Sequence, residues 1–350
     1  MIMSKKMMAV VVENFQKEPV LKNIDIPTPL NDEVLLDVLA ASVNNVTRSR
    51  ANGSHYSANP AVLPLIPGLD GVGRDQYGKN YYFLISNEKY GAIAQQVPVS
   101  KKRLLPLPQN IDPAEIAASM NPALSSWMAI RQQLSAGVKN KTVLVLGATG
   151  YAGRLAVEIA RYLGARKVIA AGRNQEILQS LPADDYIQLN DNLAAQLKTV
   201  GAIDVVLDYL WGIPAQTMLK ELLSLRSNPA ALLEWVQIGS IAGKSIELPA
   251  DALRSNNLRL LGSGIGSIPV AVFGKELFLL AQLVADGKFN VHPLKCQLTD
   301  FNQDNWQNTK QRIVYIPNQF KPAHQGILSK LQENIKFTIM KAVVNLKLSY

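Results

Sequence analysis

The sequence has one cysteine, Cys296, and three histidines, His55, His292 and His324, in 350 residues. A single cysteine excludes an intrachain disulfide and any structural zinc site built on several thiolates, and it fits a reducing compartment. With no local nucleophile motif around it, Cys296 reads as a buried inert thiol. The histidines are far apart and form no His-x-x-His pair, so each reads as a lone surface residue. No uninterrupted apolar run reaches the roughly 18 residues that a membrane helix needs. The segment from Met1 to Met8 carries two lysines, but the apolar run after it stops at Glu13, short of a signal peptide's hydrophobic region. A soluble, cytoplasmic protein is expected.

Charge is also sparse. Only 18% of residues are charged and 48% are hydrophobic, which excludes disorder and leaves enough apolar material for two domains. The net charge is +9. Residues 318–350 hold five lysines and one acid, Glu333, and so contribute +4, leaving +5 for the rest. No basic block and no aromatic RNA motif accompanies that excess, so nucleic acid is not expected. A solvated surface that draws in an anionic cofactor suits it better.

The pattern changes along the chain. Residues 7–110 are β-rich: Val10–Val12, Val34–Val38 and Tyr81–Ile85 are short apolar runs punctuated by Pro27, Pro29, Pro64, Pro67, Gly68, Gly71 and Gly73. They suggest a compact, barrel-like β domain. Asp112 can cap a helix that begins at Pro113, and a second helix is expected over 125–134. Strands then alternate with helices from Val143 to Leu261, which implies a parallel, doubly wound sheet. A long helix is expected over about 270–285, and a last strand over 313–316.

The most informative segment joins Val143-Leu144-Val145-Leu146 to Gly147-Ala148-Thr149-Gly150-Tyr151-Ala152-Gly153, with a helix immediately after. Glycine permits a tight turn and lets backbone approach a pyrophosphate. The helix start offers unpaired N–H groups and a partial positive charge. A last glycine lets helix and strand pack closely. This order predicts a dinucleotide site. The next strand ends Ala170-Ala171-Gly172-Arg173-Asn174 and has no acid before Glu176. NAD sites place an acid there to hold the ribose 2′-hydroxyl, whereas Arg173 can fork onto a 2′-phosphate. NADPH is therefore the expected cofactor, held by Gly147–Gly153 and by Gly172, Arg173 and Asn174.

With these motifs the chain resembles the medium-chain dehydrogenase/reductase superfamily in its zinc-free, quinone-oxidoreductase-like branch. The resemblance runs from about Met7 to Pro317 and also rests on the stretch from Leu65 to Gly73. It implies an α/β fold, a GroES-like β-barrel catalytic domain plus a doubly wound Rossmann domain. The expected division is 1–120 catalytic, 121–265 Rossmann, 266–317 catalytic again and 318–350 an extension. Zinc-dependent members carry a cysteine where this chain reads from Ala40 to Asn45, and Gly-His-Glu where it reads Gly68-Leu69-Asp70. Both departures imply that the catalytic metal is absent. The resemblance further implies that Asn44 lies near the nicotinamide, that Ser125 stands where a threonine contacts the carboxamide, and that Tyr56 lines the substrate cleft. Tyr209, Leu210, Trp211, Ile238, Gly239 and Ser240 match cofactor-contacting strand ends. Asn44 can equally cap a turn, and Ser125 a helix.

Ser240 fails the spacing of a hydrolase nucleophile elbow. Two functions remain open. One is an NADPH-dependent reductase passing hydride to a small-molecule quinone or enone. The other is an NADPH-binding regulatory protein with little catalysis. The resemblance also implies a homodimer formed through the sheet edge at Leu258–Leu261. In the tail, Ile327, Leu331, Ile335, Ile339 and Val343 recur every four residues, the spacing of a helix with one apolar stripe, although Phe337 and Val344 also suit a strand.

Overall fold

A computed structural model describes residues 5–55, 58–85, 87–289, 292–308 and 311–317. The expected position of Tyr56 and the tail helix over 318–350 lie outside the described residues. The chain divides into two compact units. One holds residues up to Ala118 together with 281–286 and the segment from His292. The other runs from Ser119 to Leu280 and takes in 287–291.

The second unit is built on a six-stranded parallel sheet. Its strands are β1 (Thr142–Leu146), β2 (Lys167–Gly172), β3 (Asp185–Gln188), β4 (Val205–Asp208), β5 (Leu233–Gln237) and β6 (Leu258–Gly262). They lie in the order β3-β2-β1-β4-β5-β6, the doubly wound dinucleotide-binding order. In register, Val145 stands beside Ala170 on one side and Leu207 on the other. β1 and β4 are buried throughout, because strands covered on both faces have no solvent side. That burial explains their continuous apolar runs. Leu144, Ile169, Val206, Met218 and Trp235 share one core. The helix Tyr151–Tyr162 buries Leu155, Ala156 and Ile159.

One expectation changes here. The helices expected from Pro113 and over 125–134 are one continuous element. The helix Pro113–Met128 contains Pro122 and runs into a π-helical turn, Ala129–Gln133. Ala117, Met120, Ala123 and Trp127 are all buried at helical spacing. That apolar face holds the helix through a proline that costs it one backbone bond. The second compact unit takes in most of the helix Val270–Ala285, as far as Leu280. Glu276, on the helix Val270–Ala285, accepts hydrogen bonds from Trp127 Nε1 at 2.6 Å, Arg131 Nε at 2.8 Å and Gln132 Nε2 at 2.8 Å. This buried carboxylate ties most of the helix to the second unit.

The first unit carries a seven-stranded mixed sheet. Its longest strand, Glu33–Ser42, pairs with Gln96–Ser100, Asp70–Arg74 and Ile313–Ile316, all antiparallel. Leu36, Val38, Phe83, Val97 and Tyr315 share its core. A hairpin of Lys6–Val11 and Val20–Asp25 adds bridges from Ala9 to Ala94 and from Val12 to Leu65.

Candidate functional site

The C-terminal ends of β1, β4 and β5 converge on the glycine loop. Gly147 leaves β1 with φ +95°, the left-handed region that favours glycine. Its N–H and that of Ala148 both donate to the Ala171 carbonyl at 2.9 Å, which folds the loop back onto β2. A Cβ at Gly153 would meet the Gly147 carbonyl oxygen at 2.3 Å, so helix and loop touch there as only glycine allows. A Cβ at Gly172 would meet Thr149 Cγ2 at 2.6 Å. Gly150 differs. With φ −81°, a Cβ there would come no closer than 3.6 Å, to the Gly147 carbonyl oxygen. No contact among the described residues requires glycine at 150, and the open space above it is what a backbone-hugging pyrophosphate would fill.

The helix Tyr151–Tyr162 starts at this loop with no side-chain cap. The helix start places the positive end of its dipole at the loop, where an anion is favoured. Arg154, which sequence reasoning does not single out, donates from Nε to the Thr149 carbonyl at 3.2 Å and lies 5.6 Å from the centroid of the Tyr151 ring. It brings a cation to the loop from one turn into the helix. Its spacing of four residues from Gly150 is the signal that the sequence offers.

Arg173 is exposed, and its guanidinium makes no hydrogen bond or ion pair among the described residues. Its carbonyl accepts from Gln188 Nε2 at 3.3 Å. Asn174 has a structural role as well: its side chain accepts from Ile177 N–H at 3.0 Å and caps the helix Gln175–Ser180.

The turn after β4 forms the facing wall. Tyr209 and Leu210 hold the atoms that a Cβ at Gly147 would meet, at 3.2 and 3.0 Å. A Cβ at Gly239 would meet the Tyr209 carbonyl oxygen at 2.6 Å. The Tyr209 and Ser125 hydroxyls are 3.0 Å apart, and Ser125 Oγ donates to the Pro122 carbonyl at 2.6 Å. Burial pushes the Tyr209 phenol up to about 12, against the pull of its serine bonds. Tyr209 therefore stays neutral and can donate a hydrogen bond. Trp211 has φ +52° and ψ −164°, a conformation that side-chain-bearing residues rarely adopt. Such strain costs on the order of 1–3 kcal/mol and collects at functional sites. Ile238 and Gly239 N–H groups both donate to the Asp208 carbonyl, at 2.8 and 3.1 Å. Ser240 is exposed.

The second unit thus brings together the loop 147–153, Gly172, Ser125, Tyr209, Leu210 and Gly239. Asn44 belongs to the first unit. It caps the helix Asn45–Ala51, with Oδ1 accepting from Thr47 N–H at 2.7 Å and Thr47 Oγ1 at 3.0 Å. Its Nδ2 is buried and makes no hydrogen bond among the described residues. An unpaired buried amide donor is costly, so a ligand acceptor is its natural complement. Beside it in sequence, the buried Ser42 hydroxyl accepts from Arg312 Nη2 at 3.3 Å. Among the described residues no group of three or more His, Cys, Asp and Glu is placed to hold a metal ion, and no helix is long and apolar enough to cross a membrane.

No family model matches the chain. It is 33% identical over 350 residues to the probable NADPH-dependent quinone reductase tdiC of Emericella nidulans, covering 85% of this chain and 96% of that protein. It is 32% identical over 213 residues to the chloroplastic NADPH-dependent alkenal/one oxidoreductase of Arabidopsis thaliana, covering 53% of this chain and 54% of that one. Among solved structures, the quinone oxidoreductase of Thermus thermophilus, determined also in complex with NADPH, matches with a TM-score of 0.72 at 23% identity, covering 89% of this chain and 100% of the other. That structural likeness shows the fold.

Proposed function

The chain belongs to the NADPH-dependent quinone reductase branch of the medium-chain dehydrogenase/reductase superfamily, and on that footing we propose that it uses NADPH to reduce a quinone or an α,β-unsaturated carbonyl. The observation that carries the reading is the loop itself: open space above Gly150, the start of a helix directly beyond it, and at the end of β2 an Arg173 guanidinium with no partner among the described residues. The cofactor supplies a hydride from its nicotinamide when bound.

In this reading the N–H groups at the start of the helix Tyr151–Tyr162 hold the pyrophosphate, with Arg154 adding positive charge. Arg173 forks onto the 2′-phosphate. The neutral Tyr209 hydroxyl and Ser125 orient the carboxamide. On the first unit, Asn44 Nδ2 is a donor available to a ligand acceptor. Orientation and exclusion of water are then the protein's main contributions. The substrate takes up two electrons as hydride and a proton from solvent. Leu69 stands where zinc-dependent members carry a ligand, and residues 40–45 lack their cysteine, so the substrate carbonyl is activated without zinc. The protein acts as a homodimer in a reducing, cytoplasmic setting, with no nucleic-acid partner.

The test is loss of NADPH absorbance on a panel of quinones and enones. Turnover of one class, with no matching loss with saturated ketones, supports the reading. Tight NADPH binding with no turnover across the panel would leave the regulatory reading in its place.

A further inference from the structure

Asp208 is the last residue of β4 and is fully buried. A buried carboxylate needs partners, and its partners are specific. Oδ1 accepts from the N–H of Leu210 at 2.8 Å and of Trp211 at 3.0 Å. Oδ2 accepts from Trp235 Nε1 on the neighbouring strand β5, at 3.1 Å. One oxygen therefore gathers two consecutive amides of the turn, and the other is locked by an indole from the sheet. The turn so gathered contains Trp211 at φ +52°, followed by Gly212 at φ +60°. Left to itself, a tryptophan would leave that region. The same turn presents Leu210 and Tyr209 to Gly147.

We propose that Asp208 is the positioning residue of the dinucleotide site: its carboxylate holds the 209–211 turn in a strained form that keeps the wall beside Gly147 in place, and the Trp235 indole fixes which oxygen does so. This rests on the reading of that site as the NADPH site. Asp208 touches neither the loop nor Arg173 by any side-chain hydrogen bond among the described residues, so its effect passes through the turn. Its burial raises the carboxyl pKa, against the pull of these three donors.

Asparagine at 208 cannot replace the aspartate. If its oxygen keeps the two amides, its Nδ2 faces Trp235 Nε1, donor against donor. Removing the indole donor relieves that conflict. The comparison is therefore made in the Trp235→Phe background, where Asp208→Asn keeps an acceptor for the turn and Asp208→Leu, of similar shape, does not.

The leucine double variant is expected to bind NADPH at least about tenfold more weakly than the asparagine double variant, both measured on folded protein well below its melting temperature. Asp208→Asn with Trp235 intact should fall below the asparagine double variant by a similar factor. It supplies the comparison if the leucine variant does not fold. Equal affinities within each of these pairs, whatever the melting temperatures do, would overturn the proposal and assign Asp208 to stability alone. Amide hydrogen exchange at Leu210 and Trp211 without cofactor gives a second readout. Protection should persist in the asparagine double variant and vanish in the leucine one; unchanged protection with leucine also overturns the proposal. If the unsubstituted chain failed to bind NADPH, the functional reading would fall, while the exchange measurement would still decide whether Asp208 holds the turn.

Discussion

Gly153 rests against Gly147 so closely that a Cβ at 153 would lie 2.3 Å from the Gly147 carbonyl oxygen. Three residues earlier, a Cβ at Gly150 would meet nothing nearer than 3.6 Å. The two glycines therefore separate folding from binding. Gly153→Ala should destabilise the protein by about 1–3 kcal/mol through overpacking. Gly150→Ala should stay within about 0.5 kcal/mol of the parent, since its φ is ordinary and its surroundings are open. It should nonetheless weaken NADPH at least about tenfold, because the methyl group takes the space of the pyrophosphate. Thermal unfolding and cofactor titration read the two effects. Parental NADPH affinity in Gly150→Ala would mean that the loop is only a tight turn.

Arg173 sets the second expectation. It stands at the end of β2, where an acid would favour NADH, and it is exposed without an ion-pair partner among the described residues. NADPH should bind at least about tenfold tighter than NADH. Arg173→Ala should remove most of that difference while leaving NADH affinity nearly unchanged. Equal dissociation constants for the two cofactors in the parent protein would sink the idea.

Much of this site is legible in the sequence, for physical reasons. Val143–Leu146 and Val205–Leu207 are apolar at every position because both faces of a central parallel strand are covered, and the Gly147–Gly153 loop follows at once. The bonds of Asp208 are not legible. An aspartate at a strand end usually reads as a turn residue, and only the fold shows Trp235 reaching it across the sheet. The helical stretch 113–133 reads as two helices in the sequence, whereas the buried face from Ala117 to Trp127 that makes it one is a tertiary signal. Asn174 carries a second role beside the ligand contact expected of it, because its oxygen caps the helix Gln175–Ser180.

Asp70 predicts a pH dependence. The side chain is fully buried, with one oxygen accepting from the Tyr82 hydroxyl at 2.7 Å and the other unpaired among the described residues. Burial pushes its pKa from 3.8 up to about 6, although the Tyr82 bond and the Arg312 charge pull the other way. The folded state therefore holds the proton more tightly than the unfolded chain. Its contribution to stability is fully present below the unfolded pKa and is lost as pH rises through about 6. The loss is ~3 kcal/mol at most, from about two pKa units. Asp70→Asn should flatten the stability profile between about pH 4 and pH 6, read from denaturant midpoints. An unchanged slope in that window would show that another group titrates there.

Metal content is a direct check on the zinc-free reading. Leu69 offers no donor atom, and the Asn44 oxygen is engaged with Thr47. A purified, dialysed sample should hold far less than one zinc per chain and retain its activity in chelator. Stoichiometric zinc by elemental analysis would overturn this.

The last expectation concerns the sheet edge. β6 pairs with β5 on one side and ends the sheet on the other. Ser263 N–H points inward to the Gln237 carbonyl at 2.9 Å. Backbone donors alternate along a strand, so the N–H groups of Leu260 and Gly262 point away from the sheet. An open edge of this kind invites a second strand. Pairing with β6 of another copy would satisfy these groups in a homodimer. Gly262→Pro removes one outward donor at a position where an added Cβ meets nothing within 4 Å. Proline also leaves the extended conformation of Leu261 undisturbed. The parent should have the mass of a dimer by light scattering at micromolar concentration. Gly262→Pro should shift the balance toward monomer while NADPH still binds. A monomeric parent would refute the edge-to-edge dimer, and a variant as dimeric as its parent would move the interface to another surface.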